Sequence, residues 1–235
     1  MKKNPRLRKS VLSVIATLLT ISTSIAHADI RITEVAPWSS GNSPVAADWF
    51  ELTNTGNSAL NITGWKIDDN SNSFASAVTL NGLTSISAGQ SVIFIEGNAT
   101  TAASFITNWF GASAPTGFAI GYYSGSSVGL STTADAINIY NGSGILQANV
   151  TFGSSDSISP YQTFDNAAGL NNTTISQLSV VNTNGAFVAA NSAIEIGSPG
   201  MIAAVPEPKN YALMLAGLGL FGFIARKRIV SREIL

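Results

Sequence analysis

The chain of 235 residues contains no cysteine and only one histidine, His27. Without cysteine, no disulfide can form and no thiolate nucleophile is available. His27 lies in the N-terminal segment that we expect to be removed, so the rest of the chain has no histidine. This absence excludes Ser-His-Asp and Cys-His nucleophilic machinery, and it also excludes the usual histidine-based zinc sites.

Positive charge is almost missing from the middle of the chain. Between residues 29 and 204, Arg31 and Lys66 are the only cations, against eleven carboxylates, which gives a net charge of −9, whereas the whole chain carries −1. Proteins that bind nucleic acid need clustered lysine and arginine to neutralise phosphates. We therefore expect no nucleic-acid partner, and we expect an ordinary apolar core rather than disulfides to hold the domain together.

The first 28 residues have the three parts of a secretory signal peptide. Five cations and no acid occupy the first ten residues, an uncharged apolar run follows, and Ala26 and Ala28 form a small-x-small site before Asp29. This order is typical of a signal peptide that is cleaved on export. We expect the exported chain to begin at about Asp29; an uncleaved N-terminal membrane helix is the alternative.

The other end of the chain combines a proline pair, an apolar run and a cluster of cations. Pro206 and Pro208 interrupt regular structure, because proline lacks the backbone N–H and disfavours a helical conformation of the residue before it. The uncharged stretch 211–225 is about 22 Å long as a helix, against roughly 30 Å for the hydrocarbon core of a bilayer. The cations that follow it predict a cytoplasmic C-terminus. They are Arg226, Lys227 and Arg228.

This order and spacing resemble the PEP-CTERM sorting signal. Pro206, Glu207 and Pro208 match the Pro-Glu-Pro triplet of that family, and the apolar run and the basic cluster match its other two parts. The resemblance implies recognition by an exosortase, a membrane-embedded cysteine transpeptidase-like protease that cuts near the triplet. It also implies a transient single-pass stay in the inner membrane of a Gram-negative bacterium that makes exopolysaccharide. A plain C-terminal anchor is the alternative.

Between the two ends, short runs of alternating apolar and polar residues are separated by turn residues. Period-two alternation with turns about every ten residues predicts an antiparallel β-sandwich. Only residues 99–111 have helical spacing, which places Ala102, Phe105, Ile106 and Trp109 on one face of a short inserted helix. The predicted strands are residues 30–36, 48–56, 60–69, 90–97, 135–144 and 145–153, with a later one at 175–181. The fifth and sixth are expected to form a hairpin around Asn141.

Several segments of this middle part together resemble a lamin-tail domain, in the same order as in that family. The resemblance implies an immunoglobulin-like β-sandwich, and it implies interaction or structure more often than catalysis. Two departures are Ala88, where the family usually has proline, and a longer insertion at residues 100–129. The matching segments are 32–35 (Ile-Thr-Glu-Val), 49–54 (Trp-Phe-Glu-Leu-Thr-Asn), Leu60 with Gly64, Trp65 and Asp68, 88–95, Leu130 with 135–140, and 196–200 (Ile-Gly-Ser-Pro-Gly).

Four of these residues are assigned to the core. Gly64 directly precedes Trp65, and we expect the missing side chain to let the indole pack flat, with a few kcal/mol gained from its burial. Phe50 and Leu52 should share one face of their strand. Trp49 and Glu51 should lie on the opposite face. The assigned core residues are Trp49, Leu52, Gly64 and Trp65.

Carboxylates are the remaining candidates for chemistry. Glu51 is interpreted as a surface residue or as a hydrogen-bonded carboxylate at the rim of the sheet. Asp68 and Asp69, followed by Asn70, form the best local polar cluster, and their oxygens suit Ca²⁺. A turn is the alternative, because Asp and Asn bond their own backbone. A glycosidase needs two acids flanking a sugar, and no pair is indicated by the sequence.

These features divide the chain into a signal peptide (1–28), a lamin-tail-like sandwich (29–202) and a sorting signal (203–235). Within the sorting signal, the membrane helix covers about residues 210–225 and the basic tail 226–235. We predict an exported, non-enzymatic protein of the cell envelope or exterior, without a cofactor, with a structural or adhesive role in exopolysaccharide or biofilm. Its expected partners are an exosortase, the membrane and extracellular polysaccharide. A carbohydrate-binding module, with or without calcium, is the alternative, and a carboxylate glycosidase is a third hypothesis.

Overall fold

A computed structural model describes residues 29–39, 43–155 and 158–201, and in these residues it contains mainly short strands. The predicted signal peptide and sorting signal lie outside the described residues. Neither helix in the described part of the chain is long and apolar enough to cross a bilayer. The elements are β1 Ile30–Ala36, β2 Trp49–Asn54, β3 Leu60–Asn61, β4 Lys66–Asp68, β5 Val78–Thr79, β6 Ser85–Ile86, β7 Ser91–Glu96, α1 Ala99–Phe110, β8 Ile120–Tyr123, β9 Asp135–Tyr140, β10 Leu146–Phe152, β11 Tyr161–Gln162, α2 Asn166–Asn171, β12 Thr174–Ile175, β13 Phe187–Val188 and β14 Glu195–Gly197.

Two larger sheets form the sandwich. The first sheet has the order β1-β2-β7-β8 and the second has the order β12-β10-β9-β4-β5, while β11-β14-β13 and β3-β6 form smaller sheets. The predicted all-β sandwich is confirmed, but the pairing is not antiparallel throughout: β7 with β8, β10 with β12, and β11 with β14 are parallel. Parallel neighbours need a crossover connection. Helix α1 supplies that crossover between β7 and β8.

The predicted strands fit best where the apolar alternation is longest. β1 has the predicted bounds, and the predicted hairpin of β9 and β10 forms around Asn141, whose side chain accepts bonds from the backbone N–H groups of Ser143 and Ile145. The strand predicted at 175–181 is wrong beyond Ile175, the last residue of β12. Helix α2 and strand β8 were not predicted, because six and four residues are too short to establish a periodicity.

The inner faces of the two larger sheets enclose the main core. Phe50 and Leu52 of β2 are fully buried there, and Ile67 and Ile139 of the second sheet oppose them. Trp65 is buried in the same cluster, with 5% of its surface exposed. Full burial of aliphatic and aromatic side chains contributes about 1.5–3 kcal/mol each, so this layer is the main source of stability.

A second core lies on the opposite face of the first sheet, beneath α1. Trp49 of β2 makes edge-to-face contacts with Trp38, Phe105 and Trp109, at ring-centroid distances of 6.0, 5.3 and 5.8 Å. Such pairs contribute about 0.5–1.5 kcal/mol beyond their buried area. The predicted division of β2 into two faces is confirmed, and every residue of this strand is buried.

Helix α1 is held at both ends by neighbouring segments. Asn98 caps its N-terminus through a capping box with Thr101. At its C-terminus, Asn191 donates from its side chain to the carbonyl of Thr107 and from its backbone to Asn108. Ile106, which we predicted on the buried face, is half-buried. Asn108 is buried instead, because its side-chain amide donates a hydrogen bond to Glu195.

The role that we expected for Gly64 is wrong. Gly64 is exposed, and no heavy atom lies within 4 Å of the position that its Cβ would occupy. Its φ of +74° is instead a left-handed conformation that glycine adopts without strain. Gly64 therefore forms the turn between β3 and β4, and it does not clear space for Trp65.

Replacing Gly169 by alanine should lower the free energy of unfolding by about 1–3 kcal/mol, the usual range for overpacking. Helix α2 crosses the edge of β1 so closely that a Cβ at Gly169 would lie 2.1 Å from the carbonyl oxygen of Thr33. In an unobstructed helix the same substitution stabilises by about 1 kcal/mol, so the sign of the change is informative. Urea denaturation of the purified protein measures it.

Gly129 provides the matched control, because it is exposed and nothing lies within 4 Å of its virtual Cβ. Gly129→Ala should leave the free energy of unfolding within about 0.5 kcal/mol of the original. A Gly169→Ala protein as stable as the Gly129→Ala protein contradicts the described contact between α2 and β1.

Candidate functional site

The outer face of the first sheet is aromatic in one half and polar in the other. In the polar half, the hydroxyl of Thr33 donates to Glu51 at 2.6 Å and lies 2.8 Å from the hydroxyl of Thr53. Thr53 in turn bonds the hydroxyl of Ser91 on the next strand. Each of these four residues has at most 5% of its surface exposed. The sheet thus carries a buried row of hydroxyl groups that ends at a carboxylate.

Glu34 lies directly opposite Glu51 in the pairing of β1 with β2. The register shifts between Ile32 and Glu34, and this β-bulge lets Thr33 and Glu34 bond partners on the same side of the sheet. Both glutamates are fully buried. We call Glu34 and Glu51 the carboxyl pair. The interpretation of Glu51 as a surface residue is wrong, because a segment far along the chain covers it.

That cover is residues 197–201, which we call the closing segment. Ser198 donates from its backbone N–H to Glu34 Oε1 at 2.7 Å and from its hydroxyl to Glu34 Oε2 at 3.1 Å. Gly200 donates from its backbone N–H to Glu51 Oε2 at 2.8 Å. A Cβ on Gly197 would lie 2.7 Å from Glu34 Oε1, so only glycine fits this close approach. The segments 32–35, 49–54 and 196–200, which carry the lamin-tail resemblance in the sequence, therefore meet at one site.

Burial dominates the electrostatics of the carboxyl pair. It raises the pKa of Glu34 to about 8, with a further contribution from the charge of Glu51, and it raises the pKa of Glu51 to about 7. The donors around the pair are neutral. In the described residues the only cations are Arg31, which contacts Asp29, and Lys66, which lies over the ring of Phe74. The pair therefore holds at least one proton near neutral pH.

Four other carboxylates are buried in the same way, and they accept hydrogen bonds from other segments or from their own turn. Asp48 accepts from the N–H groups of Ser39 and Leu130, at 2.8 and 2.7 Å, and burial raises its pKa to about 6. Glu195 accepts from Asn108, and burial raises its pKa to about 7. The remaining two are Asp68 and Asp165, the second of which caps α2.

Asp68 is the last residue of β4, and Asp69 directly follows it. Asp68 is fully buried, and its two oxygens accept bonds from the hydroxyls of Ser71 and Ser76 and from the backbone of Ser73. Asp69 accepts from the backbone N–H of Ser71. In the described residues, no group of three or more His, Cys, Asp or Glu side chains is placed to hold a metal ion. The calcium site stays a prediction.

One catalytic-looking motif escaped the sequence analysis. Gly125, Ser127 and Gly129 form a Gly-x-Ser-x-Gly match, the pattern of the hydrolase nucleophile elbow. In that elbow the serine sits between a strand and a helix, with a histidine as its base. Here Ser127 lies in an exposed turn and donates to the carbonyl of Ser76 at 2.8 Å. The context of the motif is therefore not that of a nucleophile.

One cavity opens on the surface of the domain beside the carboxylate-free face of α1. This cavity, of about 410 Å³, lies between Pro44 and the outer face of α1, and no carboxylate lines it. Aromatic side chains, which stack on sugar rings, are buried or half-buried in every described case; Tyr122 is half-buried and Tyr123 is 1% exposed. The carboxyl pair is thus the most distinctive polar site in the described residues, and it is not open to a substrate.

Two family models match the sequence. The model described as Lamin Tail Domain matches residues 23–154, more than half of the chain, and the model described as PEP-CTERM protein-sorting motif matches residues 204–228. No curated protein sequence matches the chain. The first match contains Glu34 and Glu51 but ends before the closing segment, which the resemblance also included. The second match contains the Pro206–Pro208 triplet and the basic cluster, as predicted.

The free energy of unfolding should fall as the pH rises from about 4.5 to about 8. The ordinary pKa of a glutamate is 4.5, and burial in the fold raises the pKa of Glu34 to about 8 and that of Glu51 to about 7. In this range the folded state therefore binds more protons than the unfolded state. The expected slope is about −1.4 kcal/mol per pH unit for each proton held only by the folded state. Urea denaturation across the pH range measures it.

Glu34→Gln should make this slope less steep and should stabilise the protein at pH 8, because glutamine reproduces the neutral carboxyl. Asp69→Asn, at a half-exposed position outside the carboxyl pair, removes the same charge and is the control. A free energy of unfolding that stays level or rises over this pH range would contradict the assignment.

Proposed function

The chain belongs to the lamin tail domain family, and we propose that its domain serves as a structural or adhesive component of the envelope or extracellular matrix. Its C-terminal motif marks an exported protein that is sorted by an exosortase. The two matched families are of non-catalytic kinds. The proposal rests on one observation, which is that the buried carboxylates accept hydrogen bonds within the fold. Each is bonded to donors of other segments or of its own turn, which makes it part of the scaffold.

A glycosidase has less support from this geometry. Two catalytic carboxyl groups have to flank a sugar and so have to line an accessible cleft. The pair that lies opposite in the sheet, Glu34 and Glu51, is fully buried beneath the closing segment. Access would require residues 197–201 to detach.

The exposed surface supports association with hydrated polymers. Many of the exposed described residues are serine, threonine or asparagine, including Asn61, Thr63 and Asn70. Hydroxyl and amide groups donate and accept hydrogen bonds to carbohydrate without requiring charge. The lectin-like alternative has less support, since every described aromatic side chain is buried or half-buried and both oxygens of Asp68 already accept hydrogen bonds.

Replacing Pro206, Glu207 and Pro208 by alanine should prevent processing by the exosortase. The protein should then lose its signal peptide but keep its C-terminal segment, and it should accumulate in the membrane fraction. Deleting residues 226–235 should also block sorting, because the cations that hold the C-terminus in the cytoplasm are lost. Cell fractionation and mass spectrometry of the intact protein measure both effects.

Lys209→Ala is the matched control, because Lys209 directly follows the triplet. This variant should be exported and cut like the original. Release of the triplet variant with an unchanged C-terminus would show that the motif does not direct processing.

The role in the matrix is tested with the purified exported protein. It should sediment with extracellular polysaccharide and release no reducing sugar from it. Binding to single glycans on an array that disappears with a calcium chelator would favour the lectin-like alternative, and release of sugar would favour the glycosidase.

A further inference from the structure

In the described part of the chain, one side of the domain presents apolar side chains and no charge, and it is the side where the described chain ends. We propose that this surface rests on the lipid bilayer while the protein is still tethered by its sorting signal. The inference rests on the proposed sorting and adds an orientation to it: the domain stands on the membrane on one defined face before it is cut free.

The exposed apolar side chains are concentrated near the end of the domain. In the described residues, five of the seven large apolar side chains that are exposed lie between Ile158 and Met201. Val180 is 55% exposed, Val188 39% and Met201 48%. Scattered single apolar residues are normal on a protein surface, but a concentration of them marks an interaction site.

Contacts connect these residues into one surface. On the small sheet, Gln162, Ile196 and Val188 are cross-strand neighbours on the outer face, since Glu195 and Gly197 point inward. The amide of Gln162 donates to the carbonyl of Ser179, next to Val180.

The loop after Val181 continues this surface to the end of the described chain. The amide of Asn166 donates to the carbonyls of both Asn184 and Met201, at 3.0 and 2.6 Å. A Cβ on Gly185 would lie 3.2 Å from the Cβ of Met201. We call the whole surface the uncharged face. It consists of Gln162, Val180, Val181, Val188, Ile196 and Met201.

The distribution of charge favours a lipid surface as the partner. Between residues 158 and 201 the only charged side chains are Asp165 and Glu195, and both are buried. The segments beside Met201, residues 89–91 and 115–118, are also uncharged. In the residues that the structure describes, the partly exposed carboxylates are on other elements, at Asp29, Asp69, Glu96 and Asp135. Carboxylates resist dehydration and are repelled by anionic lipid headgroups, so the uncharged face is the side that can approach a bilayer.

The length of the connection keeps this face close to the membrane. Only residues 202–209 separate Met201 from the predicted membrane helix at about 210–225. Eight residues span at most about 28 Å when fully extended. A short tether raises the effective concentration of the surface at the bilayer, so a small apolar patch is sufficient to orient the domain without a high intrinsic affinity.

The absence of cysteine makes a direct test available. Single substitutions Val181→Cys and Val188→Cys place a polarity-sensitive fluorophore on the uncharged face. Ser143→Cys places it at the exposed tip of the β9–β10 hairpin, in the second sheet, as the control. The chain from residue 29 to residue 235 is inserted into vesicles of phosphatidylethanolamine and phosphatidylglycerol that carry nitroxide-labelled headgroups. Circular dichroism checks that each variant is folded.

Nitroxide should quench the labels at positions 181 and 188 at least about twofold more strongly than the label at position 143, because only the uncharged face lies near the headgroups. Equal quenching at the three positions overturns the inference. Labels at 181 and 188 that are protected from nitroxide, and that lose this protection when the protein-to-lipid ratio is lowered, show contact with a second copy and also overturn it. The inference is also overturned if the labels at 181 and 188 change their fluorescence only when an exosortase is added, because the partner of the face is then that protein.

Failure of the underlying sorting would give a different result. In that case the chain with residues 203–235 does not stay with the vesicles, and cells do not hold it in their membrane fraction. A chain that is retained in the membrane but shows equal quenching leaves the sorting intact and removes only the proposed orientation.

Discussion

Burying a carboxylate is unfavourable unless hydrogen-bond donors replace its water, and this domain buries six of them without a single cationic partner among the described residues. The donors are hydroxyls, side-chain amides and backbone N–H groups, and several come from segments far away in the sequence. Glu34 is bonded by Thr163 and Ser198, and Asp48 by Leu130. Leaving a buried acceptor without its donors costs about 1–3 kcal/mol or more, so each contact restrains the segment that provides it. In a chain without disulfides, these bonds connect segments that the apolar core alone would hold less specifically.

The carboxyl pair relates the end of the fold to the sorting signal. The closing segment makes the last contacts that the structure describes, at Ser198, Gly200 and Met201, and the Pro-Glu-Pro triplet begins five residues after Met201. A cut near the triplet therefore leaves every donor to Glu34 and Glu51 in the exported part. The family match stops at residue 154, but the hydrogen bonds that its two glutamates accept come partly from residues beyond it. The packing unit is thus longer than the matched region.

Local pattern was sufficient for the sandwich and for the two faces of β2, because apolar and polar residues alternate over residues 30–33 of β1 and over residues 50–53 of β2. It was not sufficient for the carboxyl pair. The bulge at Thr33 breaks the alternation, and the cover over Glu51 comes from a segment about 150 residues away. Single-strand reasoning assumes that the face opposite the core meets water, and that assumption fails where α1 and the closing segment add a third layer. Likewise, a pattern of apolar and polar residues does not reveal the positive φ of Gly64. We therefore predicted a packing role for this glycine, whereas it forms a turn.

The same shortage of cations limits what the domain can bind. Arg31 contacts Asp29, and Lys66 lies over the ring of Phe74, so neither is a cluster that could neutralise an acidic polymer. The partly exposed carboxylates, on a domain with a net charge of −9, would repel such a polymer at low ionic strength. A matrix role therefore requires a neutral polysaccharide bound through hydroxyl and amide groups, or an acidic one bridged by divalent cations between its own carboxylates and those of the domain. A chelator or added salt should weaken binding to the acidic polysaccharide, because that binding depends on bridging cations. Binding to the neutral polysaccharide should not change.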